Sequence, residues 1–436
     1  MWLPGFKPGI RTGMRLLTAR WVFPVSSPPI PDGAVAIQGG RIVGVGARAE
    51  LTAAHAAARR WDLGEAALLP GLVNCHTHLE LSRLLPPGGN GTFAEWLVAL
   101  IERRRQLDLA DQAATALAGA HTLLESGTTC VGEVSTAGQS LAALRRLGLR
   151  GVVYREILGL APGEAQERWD AVQTDLRTMQ ETVRGTLLRV GLSPHSPYSL
   201  SEELFRACGG VPEGAGMPCC VHAAESPEEV EFLAAGEGAI PRLLYPAVGC
   251  RVPPPRRRAQ SPIEYLDGLG VLGWHPLLIH AVHVNAADIR RMAEAGAGVA
   301  HCPRSNARLS GGVAPVPSFL ARGIAVGLGT DSLASVPTLD LWDEMRAALA
   351  VHAGRLTPVA VLEMATLGGA KALGLAGQVG SLEVGKRADL IAVAAGAVAA
   401  SDPAGSLIAR TRGSNVWLTL VEGQIRHQRL EAVPCA

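Results

Sequence analysis

Two histidines stand two positions apart in the segment PGLVNCHTHLELS, residues 70–82, directly behind a short apolar run. Side chains at positions i and i+2 of a β-strand project from the same face, so His76 and His78 are predicted to point the same way, opposite to Cys75 and Thr77. Neutral imidazole binds zinc and similar divalent cations. Because an isolated pair also occurs by chance on solvated loops, it indicates a metal site only where further ligands accompany it.

Several other apolar runs end in a residue that can bind a metal or transfer a proton. These residues are His195 in LSPHSPYS, His222 and Glu225 in CCVHAAE, His280 and His283 in LIHAVH, His301 in VAHCP, and Asp331 in GLGTDS. Together with the first pair, seven of the twelve histidines lie at or near the ends of predicted strands. In parallel α/β barrels the chemistry gathers where the strands end, so this distribution favours a functional site at that face.

The segments that would carry these residues alternate between strand-like and helix-like character. Strands are predicted in GTTCVGEV, GVVYREILGL, LLRVGLSPHS, MPCCVHAAE, PLLIHAVHV, AGVAHCP and IAVGLGTDS, and helices over 111–126, 166–184, 201–208, 285–295 and 340–353. Such alternation favours a parallel sheet, and about eight strands favour a (β/α)8 or TIM barrel. We therefore predict an α/β fold with this barrel over residues 69–379.

Short β-type runs flank the predicted barrel at both ends of the chain. GAVAIQGGRIVGVG predicts a hairpin around Gly39-Gly40, and GSLEVGKRADLIAV and SNVWLTLVEGQI return to β character near the other end. We expect residues 14–68 and 380–436 to combine into a small β-sandwich domain. Residues 1–13 are interpreted as an N-terminal extension.

The composition argues against several classes of protein. The chain has 436 residues, 48% of them hydrophobic and 18% charged, with a net charge of +1, which gives no electrostatic basis for binding nucleic acid or an anionic membrane. No stretch offers about 18 uninterrupted apolar residues, so no membrane span is predicted. The eight cysteines show no CxxC spacing, which favours a reduced, cytoplasmic protein.

Six motifs in order resemble the amidohydrolase superfamily, in the branch of deaminases and chlorohydrolases that act on aminated heterocycles. The motifs are PGLVNCHTHLE, SPHSPYS, HAAE, HCPRSN, GLGTDSLAS and GSLEVGKRADLIAV. The resemblance extends from about residue 14 to the end of the chain, and it rests on the order and spacing of all six, since none is specific alone. It implies a metal-dependent hydrolase built on the barrel.

The resemblance also implies roles for individual residues. The metal ligands would be His76, His78, His222 and Asp331, a set that leaves room for a water on a zinc-like ion. Asp331 would also accept the proton of the attacking water. Glu225 would protonate a ring nitrogen of the substrate, and His280 would orient the attacking hydroxide. A surface glutamate is the alternative for Glu225.

Lysine is scarce, and this bears on the number of metal ions. The chain contains only Lys7, Lys371 and Lys386, and none lies between His76 and Asp331. Two-metal members of the superfamily often use a carboxylated lysine as a bridge, so one divalent ion is expected here. Zinc is the expected metal, with iron or manganese as alternatives. A bridging carboxylate stays open, with Glu133 and Glu156 as candidates.

The resemblance suggests four substrate-binding residues. Trp96 matches an aromatic residue that stacks on the substrate, although a core tryptophan is an equal alternative. His195 resembles a histidine that contacts the substrate. Arg155 falls where related enzymes bind a substrate carboxylate, and a surface ion pair is its alternative. Ser335, four residues after Asp331, matches a pocket position. His301 and Asn306 are expected to shape a loop, and His283 to pack or form hydrogen bonds without touching the metal.

The expected function is hydrolytic deamination of a small molecule, an adenine-type nucleoside of the aminodeoxyfutalosine or methylthioadenosine/adenosylhomocysteine class. One alternative is a chlorohydrolase, or a deaminase of another heterocycle such as a triazine, guanine or a pterin. Another is a catalytically silent binding protein, against which the complete ligand set argues. No nucleic acid or membrane partner is expected, and homo-oligomerisation is left open.

Overall fold

Strands and helices alternate along most of the chain in the computed structural model, which describes residues 13–84, 91–209, 216–250, 258–394, 396 and 398–429. The strands are β1 (Arg15–Val22), β2 (Ile30–Gln38), β3 (Arg41–Ala47), β4 (Arg59–Asp62), β5 (Ala66–Pro70), β6 (Leu72–Thr77), β7 (Thr128–Ser135), β8 (Arg150–Ile157), β9 (Leu188–Pro194), β10 (Cys220–Ala223), β11 (Leu277–His280), β12 (Gly298–His301), β13 (Val326–Leu328), β14 (Leu390–Ala394), β15 (Val416–Val421) and β16 (Gln424–Gln428).

The helices lie mainly between the strands. The α-helices are Arg48–Ala54, Phe93–Arg104, Leu109–Glu125, Gln139–Leu147, Ala165–Thr182, Glu202–Cys208, Pro227–Ala235, Tyr245–Ala247, Pro262–Gly268, Ala286–Glu294, Pro303–Leu309, Val316–Ala321, Leu341–Val351, Pro358–Glu363, Gly369–Ala372 and Pro403–Arg410. Short 3-10 helices span Leu79–Leu81, Pro162–Glu164, Val271–Trp274 and Gly413–Asn415, and π-helical turns span Ile240–Leu244 and Met364–Gly368. No helix in the described ranges combines the length and apolar character needed to cross a membrane.

Two parallel sheets form the centre of the α/β part. One has the order β6-β7-β8-β9 and the other β10-β11-β12-β13. Isolated parallel bridges join them twice, between Leu192 and Cys219 and between Thr77 and Asp331. The predicted strand–helix alternation is therefore confirmed, and the strands and helices predicted between residues 111 and 353 coincide with observed ones to within a few residues.

Burial on both faces explains the composition of these strands. Every residue of β6, β7, β10, β11, β12 and β13 is buried, because helices cover one side of each sheet and side chains fill the other. Strand β13 approaches β6 closely: a Cβ on Gly329, just beyond β13, would lie 2.9 Å from the Cβ of His76. Glycine at this position lets the chain that leads to Asp331 pass directly beside His76.

The two ends of the chain share one sheet. Its order is β16-β15-β14-β5-β1-β2-β3, and β4 pairs with β1. The predicted hairpin is confirmed, since β2 and β3 pair antiparallel around Gly39-Gly40 with Gln38 opposite Arg41. The predicted β character of 380–393 is correct only from Leu390 onward, because Gly380 and Gly385 both have a φ of +93°, which interrupts an extended strand.

A buried ion pair connects the end sheet to the parallel strands. Arg150, at the start of β8, donates from Nε to Asp389 Oδ2 at 2.8 Å and from Nη2 to Asp389 Oδ1 at 3.3 Å. Asp389 directly precedes β14 and also accepts the backbone N–H of Glu422 at 2.8 Å. The two side chains are 4% and 1% exposed, and Glu422 Oε1 lies 3.5 Å from Arg150 Nη2, so the largely buried guanidinium of Arg150 faces two carboxylates.

Candidate active site

Three histidines come together at the carboxyl ends of the parallel strands. His76 and His78 lie at the end of β6 and His222 on β10, and their ligand atoms all lie within 4.8 Å of one another. Burial lowers the pKa of His76 to about 3 and also lowers the pKa values of His78 and His222. The three rings are therefore neutral at pH 7, which is the state that binds a metal.

Asp331 completes the cluster from the turn after β13. Its Oδ1 lies 3.4 Å from His76 Nε2 and 3.9 Å from His78 Nε2. Its Oδ2 accepts hydrogen bonds from Ser305 Oγ at 2.6 Å and from Ser335 Oγ at 2.7 Å. Burial alone would raise the pKa of Asp331, but the neighbouring His76, His280 and His78 hold it below its usual value.

The donor set fits a divalent cation. Three neutral imidazoles and one carboxylate are ligands that zinc accepts. Both ring nitrogens of His76 are buried, and neither has a hydrogen-bond partner among the described residues. Buried polar atoms in proteins are normally paired, so a cation between His76 and its neighbours would account for an otherwise unsatisfied nitrogen.

The backbone at these strand ends adopts conformations that few residues prefer. His280 and Asp331 have φ values of +72° and +60°, and Ala224, between His222 and Glu225, has a φ of +55°. Left-handed backbone at a residue other than glycine costs about 1–3 kcal/mol and clusters at functional sites. The fold holds these residues in place against that cost.

Glu225 and His280 face each other beside the histidine cluster. His280 Nε2 lies 3.3 Å from Glu225 Oε1, and both residues are buried. On the other side of the imidazole ring, His280 Nδ1 lies 2.8 Å from Asn306 Oδ1, which can only accept. Asn306 therefore keeps the proton of His280 on Nδ1 and leaves Nε2 free towards Glu225. Burial and the charge of Asp331 raise the pKa of Glu225 well above its usual value, which favours the protonated acid.

Two further buried carboxylates hold the turns that carry the site residues. Glu133 on β7 accepts from Thr77 Oγ1 at 2.5 Å and from the backbone N–H of Leu79 at 3.0 Å, on either side of His78. Glu229 accepts the backbone N–H groups of Ala224 at 3.1 Å and Glu225 at 2.8 Å. Both carboxylate oxygens of Glu133 thus accept hydrogen bonds from the residues beside His78.

A cavity of about 580 Å³ opens in front of the cluster. It reaches His78, His222, Glu225, His280 and Asp331, and its apolar wall consists mainly of Leu81, Phe93, Trp96, Leu97, Leu100 and Ile101. Trp96 lies on the helix Phe93–Arg104 and donates from Nε1 to the backbone oxygen of Ala334 at 3.2 Å. The cavity is large enough for a drug-sized small molecule.

His195 lines the same cavity. Its ring lies 4.8 Å, between centroids, from the ring of His222, and its Nδ1 lies 2.8 Å from Ser199 Oγ. Burial lowers the pKa of His195 to about 4, so the ring is neutral at pH 7. Its Nε2 lies 4.0 Å from Oε1 of Glu156, which also lines the cavity.

The structure does not bring two of the expected substrate-binding residues into the cavity. Arg155 donates to Asp175 Oδ2 from Nη2 at 2.8 Å and from Nε at 3.0 Å, so it forms the ion pair that was its alternative. Ser335 is 2% exposed and lies behind Asp331, to which it donates. The expected contact of either residue with a substrate therefore has no support in this geometry.

Sequence reasoning missed several functional groups that the structure places here. Ser305 holds Asp331, Glu229 holds the turn of Glu225, and Arg104 lines the cavity. Asn306 was expected only to shape a loop, yet it fixes His280. The capping pattern SPEE at 226–229 was the one local signal for Glu229, and the others depend on contacts between distant segments.

Comparison with known proteins gives consistent results over nearly the whole chain. The model of the amidohydrolase family matches residues 67–426. A 5-methylthioadenosine/S-adenosylhomocysteine deaminase of Nitratidesulfovibrio vulgaris is 34% identical over 413 residues, covering 92% of this chain and 88% of that protein. An aminodeoxyfutalosine deaminase of Deinococcus radiodurans is 35% identical over 374 residues, covering 83% and 86%. The crystal structure of an adenosine deaminase from Xanthomonas campestris with bound zinc has a TM-score of 0.80 at 26% identity and covers 98% of this chain and 95% of that one.

Proposed function

The chain belongs to the amidohydrolase family, and from that premise we propose that it is a metal-dependent hydrolytic deaminase of an adenine-type nucleoside. Its relatives named as deaminases act on methylthioadenosine, adenosylhomocysteine or aminodeoxyfutalosine. One observation carries the proposal: Glu225 and His280 face each other 3.3 Å apart in a cavity that also reaches His78 and His222 of the three-histidine cluster. Deamination of a ring requires a proton donor beside a metal-binding site.

Amidohydrolase-family deaminases use a divalent metal, and we propose that His76, His78, His222 and Asp331 hold a single ion in this chain. Zinc is our choice, because the donor set suits it and the Xanthomonas relative contains it, while iron and manganese suit the same donors. When bound, such an ion lowers the pKa of a water to about 7, so that hydroxide is available at neutral pH.

The chain's own residues would then move the protons. Asp331 has Oδ2 occupied by two serine hydroxyls and Oδ1 turned towards His76, so Oδ1 is the atom that accepts the proton of the attacking water. Glu225 enters protonated and gives its proton to the ring nitrogen beside the carbon that is attacked. His280 accepts a hydrogen bond at Nε2 and orients the attacking oxygen. The proton held by Asp331 passes to the amino group, the carbon–nitrogen bond breaks, and ammonia leaves. As the carbonyl forms, the remaining hydroxyl proton returns to Glu225, which is again the acid that entered the reaction.

Trp96 and His195 are the proposed contacts of the substrate ring. Trp96 lies in the apolar wall, where the face of an indole can stack on a heterocycle. His195 is neutral and lies 4.8 Å, between ring centroids, from His222, so one of its edges reaches a ring held over the cluster. Neither Arg155 nor Ser335 is part of this proposal.

We also propose that the domain boundaries follow the pattern of the sheets. Residues 69–379 would form a closed eight-stranded barrel, which is supported by the two parallel bridges that join the four-stranded sheets at both edges. Residues 14–68 and 380–436 would form a β-sandwich. Side chains from both halves of the end sheet, such as Leu17, Ile37 and Trp417, pack into one apolar cluster, which supports a sheet folded upon itself.

A cytoplasmic location is proposed on the basis of the thiols. The seven cysteines within the described residues are all free, and six of them are buried. Free cysteines of this number are typical of a reducing compartment.

Ammonia release across a substrate panel tests the proposed function. The panel contains adenosine, 5′-methylthioadenosine, S-adenosylhomocysteine, aminodeoxyfutalosine and guanine, with a chlorinated triazine measured by chloride release. The zinc-loaded protein is expected to release ammonia from at least one adenine nucleoside. Turnover of guanine alone, or chloride release alone, would indicate that the protein acts on another heterocycle. A metal-loaded protein that is inert on the whole panel would contradict the proposal.

A further inference from the structure

One corner of the cavity is centred on a carboxylate that has no role in the reaction proposed above. It is formed by Glu156, with Arg104, Thr136 and His195 around its carboxylate. Glu156 lies near the end of β8 and faces inward, whereas its neighbour Arg155 faces the helix Ala165–Thr182, because successive side chains of a strand point to opposite sides. Only 4% of Glu156 is exposed, so its carboxylate is largely buried at the edge of the cavity.

The carboxylate of Glu156 has unused capacity to accept hydrogen bonds. Its Oε2 accepts from Thr136 Oγ1. Arg104 Nη1 lies 3.9 Å from Oε2 and His195 Nε2 lies 4.0 Å from Oε1, and both distances exceed that of a hydrogen bond. Among the described residues, Oε1 therefore receives no hydrogen bond, although an ionised carboxylate offers about four acceptor sites. Glu156 lines the cavity, so this free acceptor oxygen is suited to a ligand that donates hydrogen bonds.

The charges of the corner decide which kind of ligand fits. Glu156 and Arg104 carry opposite charges and compensate each other. A carboxylate bound at Arg104 would lie beside the negative charge of Glu156, and an amine bound at Glu156 would lie beside the positive charge of Arg104. A neutral ligand with adjacent hydroxyl groups avoids both conflicts, since its hydroxyls donate to Glu156 and accept from Arg104.

We propose that Glu156, flanked by Arg104, binds the vicinal 2′- and 3′-hydroxyls of the ribose in a nucleoside substrate. This inference rests on the proposed function. In an adenine-type nucleoside the carbon that loses ammonia and the nitrogen that carries the sugar lie on opposite sides of the bicyclic base. With the reacting carbon beside Glu225 and His280, the sugar extends away from them, towards a corner whose carboxylate is held by Thr136 and not by either of those residues.

His195 links the corner to the reaction centre. Its ring lies beside His222 on one side, and its Nε2 lies 4.0 Å from Glu156 on the other. A base held over the cluster and a sugar held at Glu156 would therefore contact the two ends of the same histidine. Glu156 would be a specificity-determining residue that distinguishes ribonucleosides from deoxynucleosides.

The test compares adenosine with 2′-deoxyadenosine and 3′-deoxyadenosine on the zinc-loaded full-length protein. Hydrogen bonds to a charged group typically change rates or affinities by about ten- to a hundredfold, so each deoxynucleoside is expected to show a kcat/KM lower by about that factor. Glu156→Gln should reduce kcat/KM for adenosine to a similar extent, reduce it by a smaller factor for each deoxynucleoside, which keeps one of the two hydroxyls, and retain the bound metal. Glu363→Gln, an exposed glutamate on a separate helix, is the matched control and should behave as the unmodified protein.

The outcomes separate this inference from the proposed function. Equal kcat/KM for adenosine and both deoxynucleosides would overturn the sugar site and leave the deaminase assignment intact; that comparison needs no variant, so it holds even if Glu156→Gln fails to fold. Loss of metal from Glu156→Gln would identify Glu156 as a metal ligand and overturn the sugar site as well. Absence of turnover with every adenine nucleoside would overturn both proposals together.

Discussion

Replacing Ser335 by alanine separates two roles for this residue, contact with substrate and support of a metal ligand. Ser335 Oγ donates to Asp331 Oδ2 at 2.7 Å, at a position that is 2% exposed. A buried hydrogen bond to a charged acceptor contributes about 1.5–3 kcal/mol. At about 1.4 kcal/mol per factor of ten, its loss should weaken metal binding by about 10- to 150-fold. That range agrees with the roughly 10- to 100-fold typical of residues that hydrogen-bond a metal ligand.

Zinc affinity is measured by competition with a chromogenic chelator, and kcat and KM are measured at saturating zinc. Ser335→Ala should bind zinc about 10- to 150-fold more weakly. At saturating zinc its kcat should change while its KM stays nearly constant. Ser305→Ala removes the second hydroxyl from the same oxygen, at 2.6 Å, and should behave alike. Ser310→Ala, which deletes a buried hydroxyl that has no hydrogen-bond partner within the described part of the chain, is the control. Unchanged zinc affinity with a raised KM in Ser335→Ala would refute the reasoning and indicate direct contact with substrate.

Three other predictions concern the contact of Asn306 with His280, the ion pair of Arg150 with Asp389, and the metal. Asn306→Leu should leave bound zinc unchanged but lower kcat by about tenfold or more, measured as ammonia release, because the 2.8 Å contact that fixes the proton of His280 is lost; unchanged kcat would contradict this role. Arg150→Met should lower the free energy of unfolding by about 3–5 kcal/mol in chemical denaturation at nearly unchanged kcat, since it leaves Asp389 buried and unpaired; an equal stability would contradict it. Removal of the metal by a chelator should abolish ammonia release and lower the stability by about 2.7 kcal/mol relative to protein with zinc at about 100 times its dissociation constant, and zinc should restore both.

The parallel strands could be predicted because they are short apolar runs separated by helical segments of ordinary length. The ends of β6, β10 and β13 could also be predicted, since His76, His222 and Asp331 stand at or just after the ends of apolar runs. The extended segment predicted before Leu390 failed because the sequence pattern gives no weight to the left-handed backbone of Gly380 and Gly385. The local sequence pattern thus predicted where strands and helices occur, whereas the backbone conformation of two glycines determined where β14 begins.

The face of a buried strand on which a given side chain lies could not be predicted in the same way. Arg155 and Glu156 are neighbours on β8, where residues on both faces are buried, so no alternation of polar and apolar residues shows which of the two faces the cavity. A shift of one residue exchanges the faces. Ser335 illustrates a second difficulty: its distance from Asp331 in sequence suits either contact with a substrate or a hydrogen bond to Asp331, and only the folded chain distinguishes them.

The most direct test of the central proposal is ammonia release by Glu225→Gln with the metal content of the same sample. The glutamine side chain keeps the size of the original but cannot donate the acid proton, so the account predicts a fall in kcat of about 10²- to 10⁴-fold at unchanged zinc content. Glu231→Gln, an exposed position on the helix that follows Glu225, should retain full activity. Turnover of an adenine nucleoside by Glu225→Gln at the rate of the unmodified protein would contradict the account.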